Sequence, residues 1–368
     1  MKPPHFVRVA GPWLAAVALA MPLAVLAQTA ASNQETDWRR ANEAVGNFKR
    51  GHADVLKWEK AHMPAEADPA MRAEGPAVPD AGEAIRRAWR LHRDLVGVQS
   101  RLGTDNVARI VAGQWLDLDP GLQRRVDGMD ELLDVAAQAR KAWLEAVTAR
   151  QMLRFQEASL EAAEAASELG RRMVSVGNWS RLQLSPVQLA EASARMNLRK
   201  ARFAATQAEA ALIQTMGLTG VVSSVNLPDQ LPELPAEPMA AAGLQARAVA
   251  IQGQLPDAER RRNQALAGTA IEAYQAAYAL ATESRDVVLK EREFMTEETV
   301  LHYNGMLKSV WDLLDETRNQ SQATADAVGA QRDFWLADAD LQWVMQGGAP
   351  DRFVAFGGGA EAPKAAAH

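Results

Sequence analysis

The sequence predicts an all-α protein made of two tandem long helical hairpins, drawn out rather than globular, with little or no β-structure. Three observations predict it. Of the 368 residues, 48% are hydrophobic, enough for a substantial core, yet alanine dominates that share and aromatics reach only 6%. With Val, Ile and Thr sparse, strands have little material while helices have plenty. Apolar residues then recur at alternating steps of three and four over long stretches, as one face of a helix requires. Finally, the second half repeats the order of the first: short helix, long helix, glycine turn, long helix, terminal glycine.

Lys2 and Arg8 precede an apolar run, Trp13 to Ala27, that ends "AVLAQ". Residues 1–27 therefore read as a secretory signal, too short to remain as a membrane span. Loss of Lys2 and Arg8 moves the formal charge from -6 to -8, and so acidic a chain argues against nucleic acid as a partner, because phosphate binding needs a basic face. Cysteine is absent, which excludes lipidation through an N-terminal cysteine, disulfides and thiolate metal sites. After the signal no apolar run approaches the ~20 residues of a spanning helix. Residues 28–80 divide into a helix, about 33–60, and a Pro-rich linker, "HMPAEADPAMRAEGPAVPD".

The first repeat covers 81–220. A helix from Ala81 to Leu102 leads into the irregular "GTDNVARIVAGQWLDLDPG". A heptad-like seam follows, through Leu132, Val135, Ala139, Ala142, Ala146, Ala149, Leu153, Gln156, Leu160 and Ala163. Alanine lets neighbouring axes approach closely but buries little area per residue, so stability must come from length. In "VSVGNWS", Gly177 and Asn178 adopt positive φ cheaply and Ser180 caps a returning helix, whose first turns tolerate Pro186. Gly217 stops that helix. Residues 221–240, with "LPDQLPELPAEP", form a semi-rigid extended linker.

The second repeat covers 241–348. "MAAAGLQARAVAIQGQLPDAERRRNQA" resembles "AGEAIRRAWRLHRDLVGVQSRLG", and a long helix, about Ala265 to His302, runs into "HYNGMLKSVWDLLDETRNQ". Asn304 and Gly305 are helix breakers inside otherwise periodic sequence. They mark the tip of a second hairpin, equivalent to Gly177. The returning helix ends at "VMQGG", and residues 349–368 read as a disordered tail.

"SVGNWSRLQL", the stretch ending "EAALIQTMGL", the linker "LPDQLPELP" and "YNGMLKSVWDLLDETR" resemble the TolC, or outer membrane efflux protein, family, from about Ala81 to Gly348. The resemblance implies a homotrimer whose hairpin tips lie at the periplasmic end of an α-barrel and meet an adaptor of an efflux pump. Asp312 and Asp315 match the family's channel-narrowing Asp pair, displaced by one residue relative to the turn glycine. The "YNGML…WDLL" variant looks like the branch associated with copper and other heavy metals. One departure stands out. A membrane strand needs ~9 to 11 alternating residues, and only Thr104 to Gly121 offers room in the first repeat, while the second passes from helix to helix without an insertion. The barrel strands are expected to be missing, which leaves at most peripheral outer-membrane contact.

Asp312 and Asp315, at i and i+3, share a helical face. In a three-fold bundle they form stacked acidic rings or bind a metal ion; alone, they are a solvated helix N-terminus favoured by the macrodipole. Trp179 and Trp311 stand near the two tips and serve either as partner anchors or as packing against the opposite arm of their own hairpin. Gly177, Asn178, Ser180, Asn304, Gly305 and Ser309 supply turn and cap chemistry, with any adaptor contact implied by the resemblance alone. Met173, Met196, His302 and Met306 lack the ligand spacing of a copper site and read as gap-fillers in the alanine seams. "ERRRNQ", Glu259 to Gln264, is a solvated face or meets anionic lipid. No phosphate loop, Ser/His/Asp triad or zinc motif occurs, so neither an enzyme nor a cofactor is expected. The expectation is an exported, TolC-like efflux component, placed in the periplasm or associated with the outer membrane. The alternative is a soluble periplasmic scaffold or chaperone-like bundle that kept the hairpins and lost transport.

Overall fold

In the computed structural model residues 75–356 are described, so the signal segment and the reading of 28–74 lie outside the described residues. Asp80 starts the first helix by accepting the Glu83 N–H at 2.7 Å, the ordinary N-cap contact. That helix, α1 (Ala81–Leu91), is followed by α2 (Leu95–Leu102), α3 (Thr104–Val111), a 3₁₀ turn at Trp115–Asp117 and α4 (Leu122–Arg125). The single helix expected from Ala81 to Leu102 is thus two, broken at His92–Asp94. The stretch considered for membrane strands is α3 and the 3₁₀ turn. Gly82 permits a close crossing, because a Cβ there would lie 2.7 Å from Val111 Cγ1 on α3.

The long arms follow. α5 (Met129–Ser175) holds 47 residues, about 70 Å at ~1.5 Å per residue. α6 (Arg181–Thr215) returns beside it. After α7 (Ala241–Gln252), the second outgoing arm comprises α8 (Asp257–Glu283), a π-helical turn (Ser284–Leu289) and α9 (Lys290–Asn304), and α10 (Val310–Val344) returns. The order is all-α and two long hairpins in tandem, as the periodicity predicts. α10 starts and ends 129 positions after α6, from 181 to 310 and from 215 to 344. Among the described residues the only extended pairing is an isolated bridge between Ala77 and Asn226.

Packing runs α6 on α5, α5 on α10, and α10 on α8 and α9, which makes α6 and α8–α9 the edges. The large side chains concentrate at the open ends of the hairpins, away from the tips. Trp89, Trp115, Leu132, Leu133, Trp143, Val147 and Leu212 form one cluster, and Leu244, Ile271, Tyr274, Phe334 and Leu341 another. Toward the tips the predicted seam continues with partly buried residues such as Leu153, Leu160 and Ala163, in keeping with its small side chains.

Two segments depart from their expected character. Residues 221–240 are extended, but they form a strap fixed to both repeats rather than a spacer. Val225, Leu227 and Leu231 are buried, Pro232 O accepts from Gln331 and Trp335, and Pro235 O accepts from Tyr278 Oη. The start of the supposed tail also packs, with Pro350 buried and Phe353 and Val354 half-buried against the two clusters. Pattern reading missed both because a proline-rich or short apolar segment carries no period.

The α5–α10 interface joins the repeats through buried charge. Arg140 donates to Asp338 at 2.7 Å, Gln342 donates to the same carboxylate at 2.8 Å, and Lys141 pairs with Asp340. Burial pushes Asp338 and Asp340 up from the usual carboxylate range, against the pull of their cationic partners.

Candidate functional site at the hairpin tips and edge helices

The two tips are built alike. At the first, Gly177 takes φ +81°, the Asn178 and Trp179 N–H groups both donate to Met173 O at 2.9 and 3.1 Å, and Ser180 begins α6. At the second, Leu307 and Lys308 donate to His302 O at 2.8 and 3.3 Å, and Ser309 begins α10. Each serine sits in a reciprocal capping box, with Gln183 in the first tip and Asp312 in the second. One expectation needs correction. Gly305 is not the left-handed residue of the second turn: it has φ −80°, and Met306 adopts φ +59°. Alignment of the bonding patterns pairs Gly177 with Met306 and Val176 with Gly305, so the turn glycine stands one position early.

Asp312 is occupied locally. Its Oδ2 accepts from the Ser309 N–H at 2.8 Å and hydroxyl at 2.7 Å, and these bonds hold its carboxyl below the usual range. Asp315 is exposed and lies 3.3 Å from Arg318. Among the described residues no group of three or more His, Asp or Glu is placed to hold a metal ion. Met196 and Met306 are exposed, Met306 at 94%, so neither fills a seam. In "ERRRNQ" the arginines are exposed, as a solvated face requires, whereas Asn263 is buried and donates to Val344 O at 2.7 Å.

The tip tryptophans meet each other. Trp179 and Trp311 stack with centroids 4.3 Å apart and planes 20° apart, which ties the first tip to the second. Trp179 also covers Gly170 of its own hairpin, where a Cβ would come within 3.0 Å of the indole and 2.8 Å of Leu184 Cδ1. Beside the stack, α5, α6 and α10 enclose a cavity of about 540 Å³ lined largely by small residues such as Ala162, Ala166 and Ala190. Farther down, buried Glu191 on α6 pairs with Arg195 and lies 3.5 Å from Arg171 on α5. The Ser167 hydroxyl, followed by the two guanidiniums, lowers the Glu191 pKa.

What sequence reasoning missed lies on the edge helices. On α6, Leu182, Leu189, Met196 and Phe203 recur every seven residues and are 57–82% exposed. On α8–α9, Leu280, Val287, Phe294 and Leu301 also recur every seven residues and are 45–58% exposed. A row of large apolar side chains at heptad spacing, left in solvent, is the mark of a helix face awaiting a partner. The spacing is visible in the sequence, but spacing alone does not separate such a row from a core seam. At the tips Val176, Met306 and Leu307 add further exposed apolar surface.

No family model matches this chain, and no curated protein matches it. Among solved structures it is similar to the Campylobacter jejuni CmeC outer membrane channel, at 12% identity and a TM-score of 0.46, over 66% of this chain and 68% of that one. It is also similar to CusC, described by its transmembrane channel formation, at 12% identity and a TM-score of 0.46, over 76% of this chain and 96% of that one. A third similarity is to the outer-membrane channel OprN, at 13% identity and a TM-score of 0.45, over 66% of this chain and 72% of that one.

Proposed function

We propose that the chain is a TolC-like component of an envelope efflux system that assembles with further copies of itself through its two edge stripes. The pair of stripes supports this reading most. They lie on different helices at the two ends of the packing order, so the contact is of one face with a different face, and contacts of that kind close into rings when the rotation permits. The resemblance of the tip sequences to the TolC family supports reading the ring as a trimer, exported to the periplasm.

In this reading the tips dock a periplasmic adaptor. Val176, Met306 and Leu307, exposed around the stacked tryptophans, offer apolar anchors beside Gly177, Asn178, Ser180, Asn304, Gly305 and Ser309. Asp315, solvent-facing, and Asp312, one helical turn away, supply a ring of negative charge that favours cationic cargo, with copper among the candidates. The capping box fixes the Asp312 rotamer and leaves Asp315 the freer of the two.

The test is the native mass of the full mature chain, with Leu189→Glu on one edge and Phe294→Glu on the other. A trimer that either substitution converts to monomer supports the reading. A wild-type monomer removes it in favour of a soluble helical scaffold, and full metal and drug tolerance in a deletion strain removes the efflux role.

A further inference from the structure

A larger cavity, of about 950 Å³, lies at the open end of the first hairpin, bounded by α1, α2, α3, α5, the strap at Pro232 and α10 at Trp335. Its wall is mostly apolar, with Trp89, Trp143 and Trp335 prominent. All three indole N–H groups are already used, donating to Leu132 O, Val78 O and Pro232 O at 3.0, 3.0 and 2.9 Å. The rings therefore offer the cavity carbon surface rather than hydrogen bonds. The size lies within the range of cavities that hold small organic ligands, about 300–1,000 Å³.

The charged groups on this wall are three arginines, Arg86, Arg90 and Arg140, against one carboxylate, Asp80. Arg86 and Arg90 are exposed at the mouth, where Asp80 and Glu83 partly balance them. Arg140 is the unusual one. The residue is only 8% exposed, its Nη2 donates to Asp338, and its Nη1 is buried with no acceptor among the described residues. Gly113, at φ +75°, closes over the same guanidinium so tightly that a Cβ would stand 3.2 Å from Cζ. An unpaired donor on a buried cation is costly, and an incoming anion relieves that cost.

We propose that this cavity binds a single-chain amphiphile with a carboxylate head, the head taken by the free Nη1 of Arg140 and the apolar chain laid against the three indoles. The wall selects against a cation by its arginine excess and against a strongly polar anion by its carbon surface. The site lies away from the tips and edge stripes and is complete within one chain, so it does not depend on the assembly proposed above.

Isothermal titration of the full chain with decanoate, 1-decanol and decylammonium tests this. Decanoate should bind saturably at one site per chain, and the alcohol and the amine at least tenfold more weakly. Ala108→Trp, an exposed position on the cavity wall, should abolish binding without changing the unfolding midpoint, and Val96→Trp, also exposed on that wall, serves if that variant does not fold. Arg140→Lys, which keeps a cation beside Asp338 but loses the fork, should weaken decanoate at least tenfold and leave decanol unchanged. Equal affinity for decanoate and decanol, undiminished binding by the tryptophan variant, or no saturable binding at all overturns the proposal.

Discussion

Trp179 and Trp311 stack across the two hairpin tips, one indole from each repeat, at 4.3 Å between centroids. They bring together the ends of two arms whose shared seams there are otherwise lined by small side chains. A stacked aromatic pair contributes ~0.5–1.5 kcal/mol beyond the area it buries. A double-mutant cycle with Trp179→Leu and Trp311→Leu should return a coupling of about that size. Hydrogen exchange should quicken at residues 176–184 and 305–313 in either single mutant while the 129–147 core keeps its protection. Additive effects would mean the rings merely adjoin.

Two helical glycines should respond in opposite directions to alanine. At Gly329, on α10, a Cβ would meet nothing within 4 Å, and Gly329→Ala should stabilise by about 0.5–1 kcal/mol through helix propensity alone. At Gly170 the same gain is opposed by Leu184 and Trp179, both within 3.0 Å of the new carbon. Gly170→Ala should therefore lower the denaturant midpoint and disturb Trp179 fluorescence.

The second tip is improvable. Left-handed backbone costs a residue with a Cβ roughly 1–2 kcal/mol, and Met306 bears that cost. Met306→Gly should raise stability by about 1 kcal/mol, whereas Gly305→Ala, at φ −80°, should be nearly neutral. The reverse order in urea unfolding would show that the turn has a different register in solution.

The interface between the repeats carries a pH signature. Asp338→Ala leaves Arg140 as an uncompensated buried charge and should cost about 3–5 kcal/mol. Asp340 has a raised folded pKa, so the folded chain binds its proton more readily than the unfolded chain does. Its contribution to stability thus grows as pH falls through the folded value and levels off below the unfolded one, near ~3.9. The cost of Asp340→Asn should accordingly be larger at pH 4 than at pH 7. A cost that shrinks on acidification would contradict the raised value.

The long helices and the turns between them were legible because each leaves a local mark: a 3.6-residue period, a glycine–asparagine break, a serine cap. Met306 was not, since Gly305 is the residue that local preference selects and only the turn's hydrogen-bond register assigns positive φ to its neighbour. The Trp179–Trp311 stack joins residues 132 positions apart, and nothing within either tip specifies the other. Asp338 and Asp340 read as surface residues in a helix until α5 supplies Arg140 and Lys141 opposite them. The strap escaped notice for a related reason: its anchors, Pro232 O and Pro235 O, are backbone acceptors that carry no residue code.

The π turn at Ser284–Leu289 has a consequence for how the second arm tolerates change. α8, the π turn and α9 contain 27, 6 and 15 residues, 48 in all, against 47 in α5. Along this arm the side chains that face the neighbouring helix step from Ala281 to Ser284 to Leu289 to Arg292, with the single five-residue stride inside the π turn. These steps cover the 11 positions from Ala281 to Arg292 in three turns, the ordinary ~3.6 residues per turn, so the wide stride is offset by the short ones beside it and the row from Leu280 to Leu301 keeps one face. Loss of one residue, in the π turn as much as in α9, would therefore swing the row containing Phe294 and Leu301 away by roughly 100°. The residue count of the arm is thus fixed between its firmly packed base and its sparsely packed tip.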